Sequence, residues 1–356
     1  MAIYIVIWIA ILVPYFLPNR SEWKNFNRNY ATFVFGCLAV LIGFRHVTVG
    51  ADTLQYQYYY SISADKLGVD QRDRGYFLFA DFFNQRGLSF QVYNFIVACI
   101  LAAVLVWFYL SYSKNLGFSI LIFMTIGLLS MYMTGIRQSL AITISLVAIQ
   151  WIDKHKGILH LCIACALIWV ASTFHASAVI CYAIIALILL RLRLSRPFIF
   201  LVVMIAAAAL VYRQAFVRLI QGWLPVEYES YDLNANYQIN PLLIIISILI
   251  PTFCLIFDTE IEKDGKYSRE KTWLYLISCA NILFTIMARN SMYFSRIAFY
   301  FLHVNSILIP NMIEEQRIKS NIYIMYILIG AICMVYFLIS IPGGTLQIDN
   351  YRFFWQ

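Results

Sequence analysis

Charge is what this chain has least of. Only 12% of its 356 residues are Asp, Glu, Lys or Arg, while 62% are apolar or aromatic. Soluble domains carry about 25% charged residues, so soluble multidomain classes are excluded and a polytopic membrane protein is implied. Metal sets are lacking too: the five histidines are scattered, and no cluster has ligand spacing. Gly343–Gly344 has no lysine partner and no GxSxG occurs, which removes phosphate-loop and nucleophile-elbow chemistry. No Gly/Ser linker, low-complexity tract or inverted repeat divides the chain, so one helical membrane domain is expected over 1–356. The opening run "MAIYIVIWIAILVPYFL" lacks a basic n-region and a small-residue cleavage site, and reads as a retained span. The pair Cys162 and Cys165 in "CIAC" has redox spacing, but it lies in an apolar run, where cysteine packs as a small hydrophobe. The net charge of +8 reports membrane orientation before nucleic-acid binding, and no nucleic-acid partner is expected.

What is abundant is apolar sequence in runs near bilayer length. Twelve are expected to cross, at 2–17, 31–44, 91–111, 117–134, 137–152, 157–172, 176–191, 197–213, 241–257, 272–288, 296–312 and 321–341. The fold class is therefore all-α, with about 12 transmembrane helices and two larger outer-face segments, 45–90 and 213–240. Residues 75–90 are apolar but short and interrupted by Asp81, which predicts an interfacial or re-entrant helix rather than a span. With the N-terminus outside, fifteen of the 26 basic residues fall in the short inner connections, from Arg20 to Lys319. The positive-inside rule then places both termini outside.

The informative cations are outer ones that do not sit in open loops. Arg45 follows the second span in "GFRHVTVGADTLQYQYYY"; Arg137 and Gln138 open "RQSLAIT" between two spans that almost touch in sequence. Arg289 and Arg296 bracket the tight turn "RNSMYFSR", and His175 stands in another, "STFHASAV". A charge at helix-centre depth costs about 2.5–3.5 kcal/mol and less near the interface, so residues sharing one predicted depth suggest a common polar cavity. Singly, each arginine reads as well as a snorkelling headgroup anchor, and His175 as a packing histidine. Asp52 is a favoured helix-cap residue or an acid facing a hydroxylated ligand, and the two readings are compatible. Tyr56, with Tyr58, Tyr59 and Tyr60, reads as an interfacial aromatic belt or as a sugar-stacking wall. Guanidinium forks match phosphate oxygens bidentately, so the cluster suits an anionic ligand such as a lipid diphosphate from the outer leaflet.

The order Arg45…Gly50-x-Asp52-Thr53…Tyr56, then Gly75-Tyr76, Arg137-Gln138…Ala141 and Phe174-His175-x-Ser177, closing on "NYRFFW", resembles the EpsG-type polysaccharide polymerase family, within the wider Wzy O-antigen polymerase group. The acid that this family often carries before Gly-Tyr is displaced here by one position, to Asp73, and no role is assigned to it. The resemblance implies glycosyl transfer on the outer face of the bacterial cytoplasmic membrane, moving a growing glycan from one undecaprenyl diphosphate carrier onto a repeat unit held by another. Donor and acceptor lipids, the surrounding membrane and a separate chain-length regulator are the implied partners, and no cofactor is expected. Catalytic roles then fall to His175, Asp52 and Arg137, with His175 or Asp52 as base. Arg45, Gln138, Arg289, Arg296, Tyr56 and Arg74 form the expected set binding diphosphate or glycan, the arginines stabilising the leaving charge. A transporter or flippase of lipid-linked or anionic solutes is the alternative, but only Pro251 and Pro310 interrupt late spans. A glycan acyltransferase lacks a second histidine or acid beside His175.

Overall fold

The computed structural model describes residues 2–16, 26–62, 73–212, 214–215, 241–289, 291–341 and 346–356. Most of the expected outer segment 213–240, and residues 63–72 of the first one, lie outside the described residues. Among the described residues the chain is helical, with two isolated bridges and no strands.

Every expected span carries helix. The helices are α1 (Ala2–Phe16), α2 (Phe26–Gly43), α3 (Thr53–Ser61), α4 (Arg74–Asn84), α5 (Phe90–Tyr112), α6 (Leu116–Thr125), α7 (Leu128–Thr134), α8 (Ile136–Lys154) and α9 (Ile158–Phe174). A short 3₁₀ turn, Ala176–Ile180, leads into α10 (Cys181–Leu189), α11 (Arg196–Ala208), α12 (Pro241–Phe257), α13 (Arg269–Met287), α14 (Met292–Leu302), α15 (Asn305–Glu314) and α16 (Lys319–Ser340). Among the described residues, three stretches are long and apolar enough to cross a membrane: Phe90–Tyr112, Met292–Glu314 (α14 with α15) and Ser320–Ser340. A fourth is added if α6 and α7, bent by 66° at their junction, count as one span. The other apolar helices are shorter, or carry polar residues as α2, α8 and α13 do at their first turns. Helix α4 has 11 residues, too few to cross at 1.5 Å per residue.

The described residues form two compact units, Met1–Val179 with Leu328–Gln356, and Ile180–Ile327. In the first, α2 packs on α5. Gly43 lies so close to Phe95 that a Cβ there would sit 2.7 Å from its ring. The carbonyl that ends α2 is not left orphaned, because Gln91 Nε2 (2.6 Å) and Asn94 Nδ2 (3.0 Å) both donate to Gly43 O. Ser89 and Asn115 accept from the backbone at Val92 and Phe118 and so cap α5 and α6.

The second unit is built around two polar networks. On α13, Lys271 Nζ meets Glu315 at 2.6 Å, Asp258 at 2.7 Å and Glu260 at 3.3 Å, and the Tyr275 hydroxyl donates to Asp258 at 2.7 Å. Deeper along the same helix, Ser278 donates to Asn305 (2.6 Å), Asn305 to Asn281 (3.2 Å), and Asn281 to the carbonyl of Ala298 (3.1 Å). Each buried amide thus has a partner, as burial requires.

Candidate functional site

The first unit gathers at one end the close of α2, both short helices α3 and α4, the start of α5, the α7–α8 junction, the close of α9 and the segment 346–356. Two glycines make this convergence possible. Gly50 has φ +93, and a Cβ there would lie 2.6 Å from the Met133 carbonyl that closes α7; only glycine tolerates both conditions. A Cβ on Gly75 would overlap the Thr173 side chain, so α4 rests directly on the last turn of α9. The Thr53 hydroxyl fixes the intervening turn, donating to Val49 O at 2.8 Å.

Arg137, in the first turn of α8, forms an ion pair with Asp73, Nη1 to Oδ2 at 2.8 Å. Its guanidinium carbon also stands 5.7 Å from the centre of the Tyr56 ring, within cation–π range. Tyr56 in turn meets Tyr76 edge-on at 5.6 Å. Burial raises the Tyr56 phenol above its ordinary value, with Arg137 pulling it back. The tyrosine ladder therefore splits. Tyr56 and Tyr60, one turn apart, are buried, the latter stacked on Tyr93 at 4.8 Å, while Tyr58 points out at 60% exposure. Of the four rings read as an interfacial belt or a sugar-stacking wall, two, Tyr56 and Tyr60, belong to the packing around Arg137 and Tyr93.

Arg45 is the larger surprise. It is 1% exposed. One nitrogen donates to the Ile42 carbonyl, yet Nε and Nη2 are buried with no hydrogen-bond partner. Among the described residues no carboxylate stands within ion-pair distance, and the titratable groups acting on it are Tyr351, Tyr4 and Tyr56. Burial pulls its pKa down to about 10, which leaves it charged at neutral pH. A snorkelling anchor would expose its head; this side chain does the opposite. An uncompensated buried charge is costly, and these two donors are left without a partner in the structure.

His175 ends α9, its Nδ1 2.6 Å from Ser177 Oγ. The close packing of Gly75 on Thr173 puts it beside the start of α4, where Asp73 and the exposed Arg74 lie. Gln138 is buried on α8. Asp52 does stand at the N-cap of α3, but its side chain makes no cap bond. Its φ −96, ψ −2 is helical rather than extended, so the carboxylate is turned away from the first-turn amides. It is exposed at the mouth of the site. His46, like His175, closes a local turn, with Nδ1 2.9 Å from Thr48 Oγ1.

Arg289 and Arg296 belong to the second unit. Arg289 is exposed and Arg296 half-buried at either side of the start of α14. Sequence reasoning left Asp73 without a role, although the acid near Gly75-Tyr76 was the signal, and it did not foresee Tyr4 or Tyr351 beside Arg45.

The class defined by these features is, among the described residues, an all-helical, membrane-type protein with arginines and tyrosines gathered at one end of a unit. The chain belongs to the EpsG family, whose model matches residues 28–353. The match takes in the arrangement except for Tyr4 and the last three residues of the 346–356 segment. Family membership points to a role in polysaccharide polymerisation. Among curated proteins and among solved structures no match is found.

Proposed function

We propose that this protein is a polysaccharide polymerase of the bacterial cytoplasmic membrane that joins undecaprenyl-diphosphate-linked repeat units on the outer face, building O-antigen, capsule or exopolysaccharide. The observation that carries the reading is Arg45: a buried, charged guanidinium with two unused donors, in the same cluster of helix ends as Arg137. In the reaction an acceptor hydroxyl oxygen attacks the anomeric carbon of the donor glycan. The bond from that carbon to the carrier phosphate breaks, its electron pair leaves on the diphosphate, and the hydroxyl proton passes to a base. Charge therefore grows on the diphosphate in the transition state, where preorganised cations act most strongly. Arg45 and Arg137 take that role, with Gln138, Tyr56 and Arg74 around the diphosphate or the sugar. Guanidinium groups supply the positive charge, so the reaction is expected to continue in the presence of a chelator.

His175 or Asp52 receives the proton. For His175 this requires the tautomer in which Nδ1–H donates to Ser177 Oγ (2.6 Å), giving up the longer contact that Nδ1 accepts from Ser177 N–H (3.4 Å), so that Nε2 keeps its lone pair. Asp52, exposed beside the Gly50 turn, serves an acceptor sugar at the mouth.

The test is reconstitution. Purified protein in lipid vesicles, given a lipid-diphosphate-linked repeat unit, should lengthen the glycan and release free carrier diphosphate in equal amounts, with or without EDTA. Movement of the intact lipid-linked unit across the bilayer without elongation would instead make the protein a flippase.

A further inference from the structure

The segment Leu346–Gln356 is laid along the loop that carries Arg45. Four backbone hydrogen bonds tie the two: Phe354 N to Phe44 O (2.9 Å), His46 N to Arg352 O (2.8 Å), Gly50 N to Gln347 O (2.9 Å) and Ala51 N to Leu346 O (3.1 Å). Arg45 and Phe353 stand opposite each other as an antiparallel bridge. Side chains reinforce the backbone. The Tyr351 hydroxyl donates to Leu41 O at 3.0 Å, the Tyr4 hydroxyl to Ile348 O at 2.7 Å and the Thr134 hydroxyl to Leu346 O at 3.0 Å. The Tyr4 and Tyr351 rings meet edge-on at 5.6 Å.

This strap holds residue 45 extended. In such backbone, neighbouring side chains alternate in direction, which sends Arg45 inward. The contrast with Arg352 is sharp: six residues along the strap from Leu346, it is exposed, whereas Arg45 is sealed.

We propose that Leu346–Gln356 is a working part of the Arg45 site, with Tyr351 as the residue that positions Arg45 and latches the strap, and that the strap must lift from loop 44–51 before a phosphate or diphosphate oxyanion reaches the guanidinium. The proposal rests on the reading of Arg45 as a diphosphate ligand. Tyr351 suits the latch because its hydroxyl reaches back to α2, four residues before Arg45, while its ring lies beside Tyr4 and the guanidinium. The strap explains how a cation can be kept dry and unpaired: water is excluded by aromatic rings and backbone rather than replaced by a carboxylate. It also confines the ligand to one that can compete with four backbone hydrogen bonds, which a doubly charged diphosphate is equipped to do.

The test uses the full-length protein in lipid nanodiscs, an arginine-selective dicarbonyl reagent, and peptide mass spectrometry to follow each arginine, with inorganic pyrophosphate as the ligand probe. In the wild type, Arg352 labels promptly and Arg45 at least about tenfold more slowly, because labelling waits on local opening. Tyr351→Ala brings Arg45 close to the Arg352 rate, and pyrophosphate slows it again. Tyr351→Phe keeps the ring, loses only the bond to Leu41 and gives an intermediate rate. Arg196, bonded to the Asp258 carbonyl and the Tyr267 hydroxyl, stays slow in a folded variant; if Tyr351→Ala frees it as well, the Tyr351→Phe comparison decides. Arg45 labelling as fast as Arg352 in the wild type, or unchanged in both Tyr351 variants, overturns the strap. Arg45 exposed by the variants but unprotected by pyrophosphate leaves the strap standing and removes the diphosphate reading.

Discussion

Arg137 and Asp73 are 64 positions apart in sequence and 2.8 Å apart in space, joining the first turn of α8 to the cap of α4. With side chains 29% and 14% exposed, this pair is not deeply buried, and its worth to stability is about 1 kcal/mol or less. Its worth to function is expected to be far larger. Arg137→Ala should lower polymerisation by about 10²-fold or more, the scale of losing one charge-stabilising donor, while membrane abundance stays near wild type. Arg137→Lys keeps the charge but not the fork and should not restore chain length. Product length on a gel, normalised to protein in the membrane fraction, checks both.

Arg45 separates stability from function in the opposite sense. Its guanidinium is buried without a counter-ion, so an apolar replacement of similar length removes a desolvated charge. Arg45→Met should leave thermal stability in detergent unchanged or raised, and should abolish polymer. A clear fall in melting temperature would identify Arg45 as a structural residue instead.

Three glycines give a graded test of the packing that builds the site. Gly50→Ala meets the Met133 carbonyl at a positive φ, and Gly75→Ala meets Thr173; each should cost about 1–3 kcal/mol as overpacking. A Cβ on Gly36 meets nothing within 4 Å, so Gly36→Ala should be neutral or stabilising by up to about 1 kcal/mol. Melting temperatures in one detergent rank the three.

Glu315 supplies a pH dependence. Its side chain is buried beside Lys271, yet burial first, then Glu260, raises its pKa from 4.5 to about 7 against the pull of the lysine. The folded state therefore holds this proton more tightly than the unfolded chain does. Between pH 4.5 and about 7, stability from this group falls as pH rises, because only the folded state still keeps the proton to be lost. Glu315→Gln should flatten that slope. Thermal unfolding at a series of pH values from 4.5 to 8, wild type against variant, measures it.

Much of the fold was legible because apolar runs and helices coincide. The run at 241–257 is α12 to the residue, and Ser89, Asn115 and Ser268 mark helix starts as capping chemistry predicts. The breaks were not legible. The 66° bend between α6 and α7 sits at Gly127 with φ +96, inside a run that reads as continuous, and hydropathy carries no signal for it. The twelve-span expectation counted runs, and runs alone do not distinguish a crossing helix from a short one. At the site, Arg45, Arg137 and His175 were legible as cations and a histidine at helix ends. Their partners were not, since Asp73 and Tyr351 are brought in by tertiary packing from 64 and 306 positions away. Asp52 shows the limit of local propensity: the residue type was right for a cap, but the turn is held by Gly50 and Thr53, and its carboxylate is left outward. His46 had no reading from sequence, and its contact with Thr48 supplies one.

The most direct measurement is the length distribution of surface glycan in a strain lacking the gene and complemented with wild type, Arg45→Met or Arg137→Ala, each confirmed in the membrane fraction. The account predicts a full ladder from the wild type and single-repeat glycan from both variants. A full ladder from the variants, or lipid-linked units stranded on the inner face in the deletion strain, would contradict it.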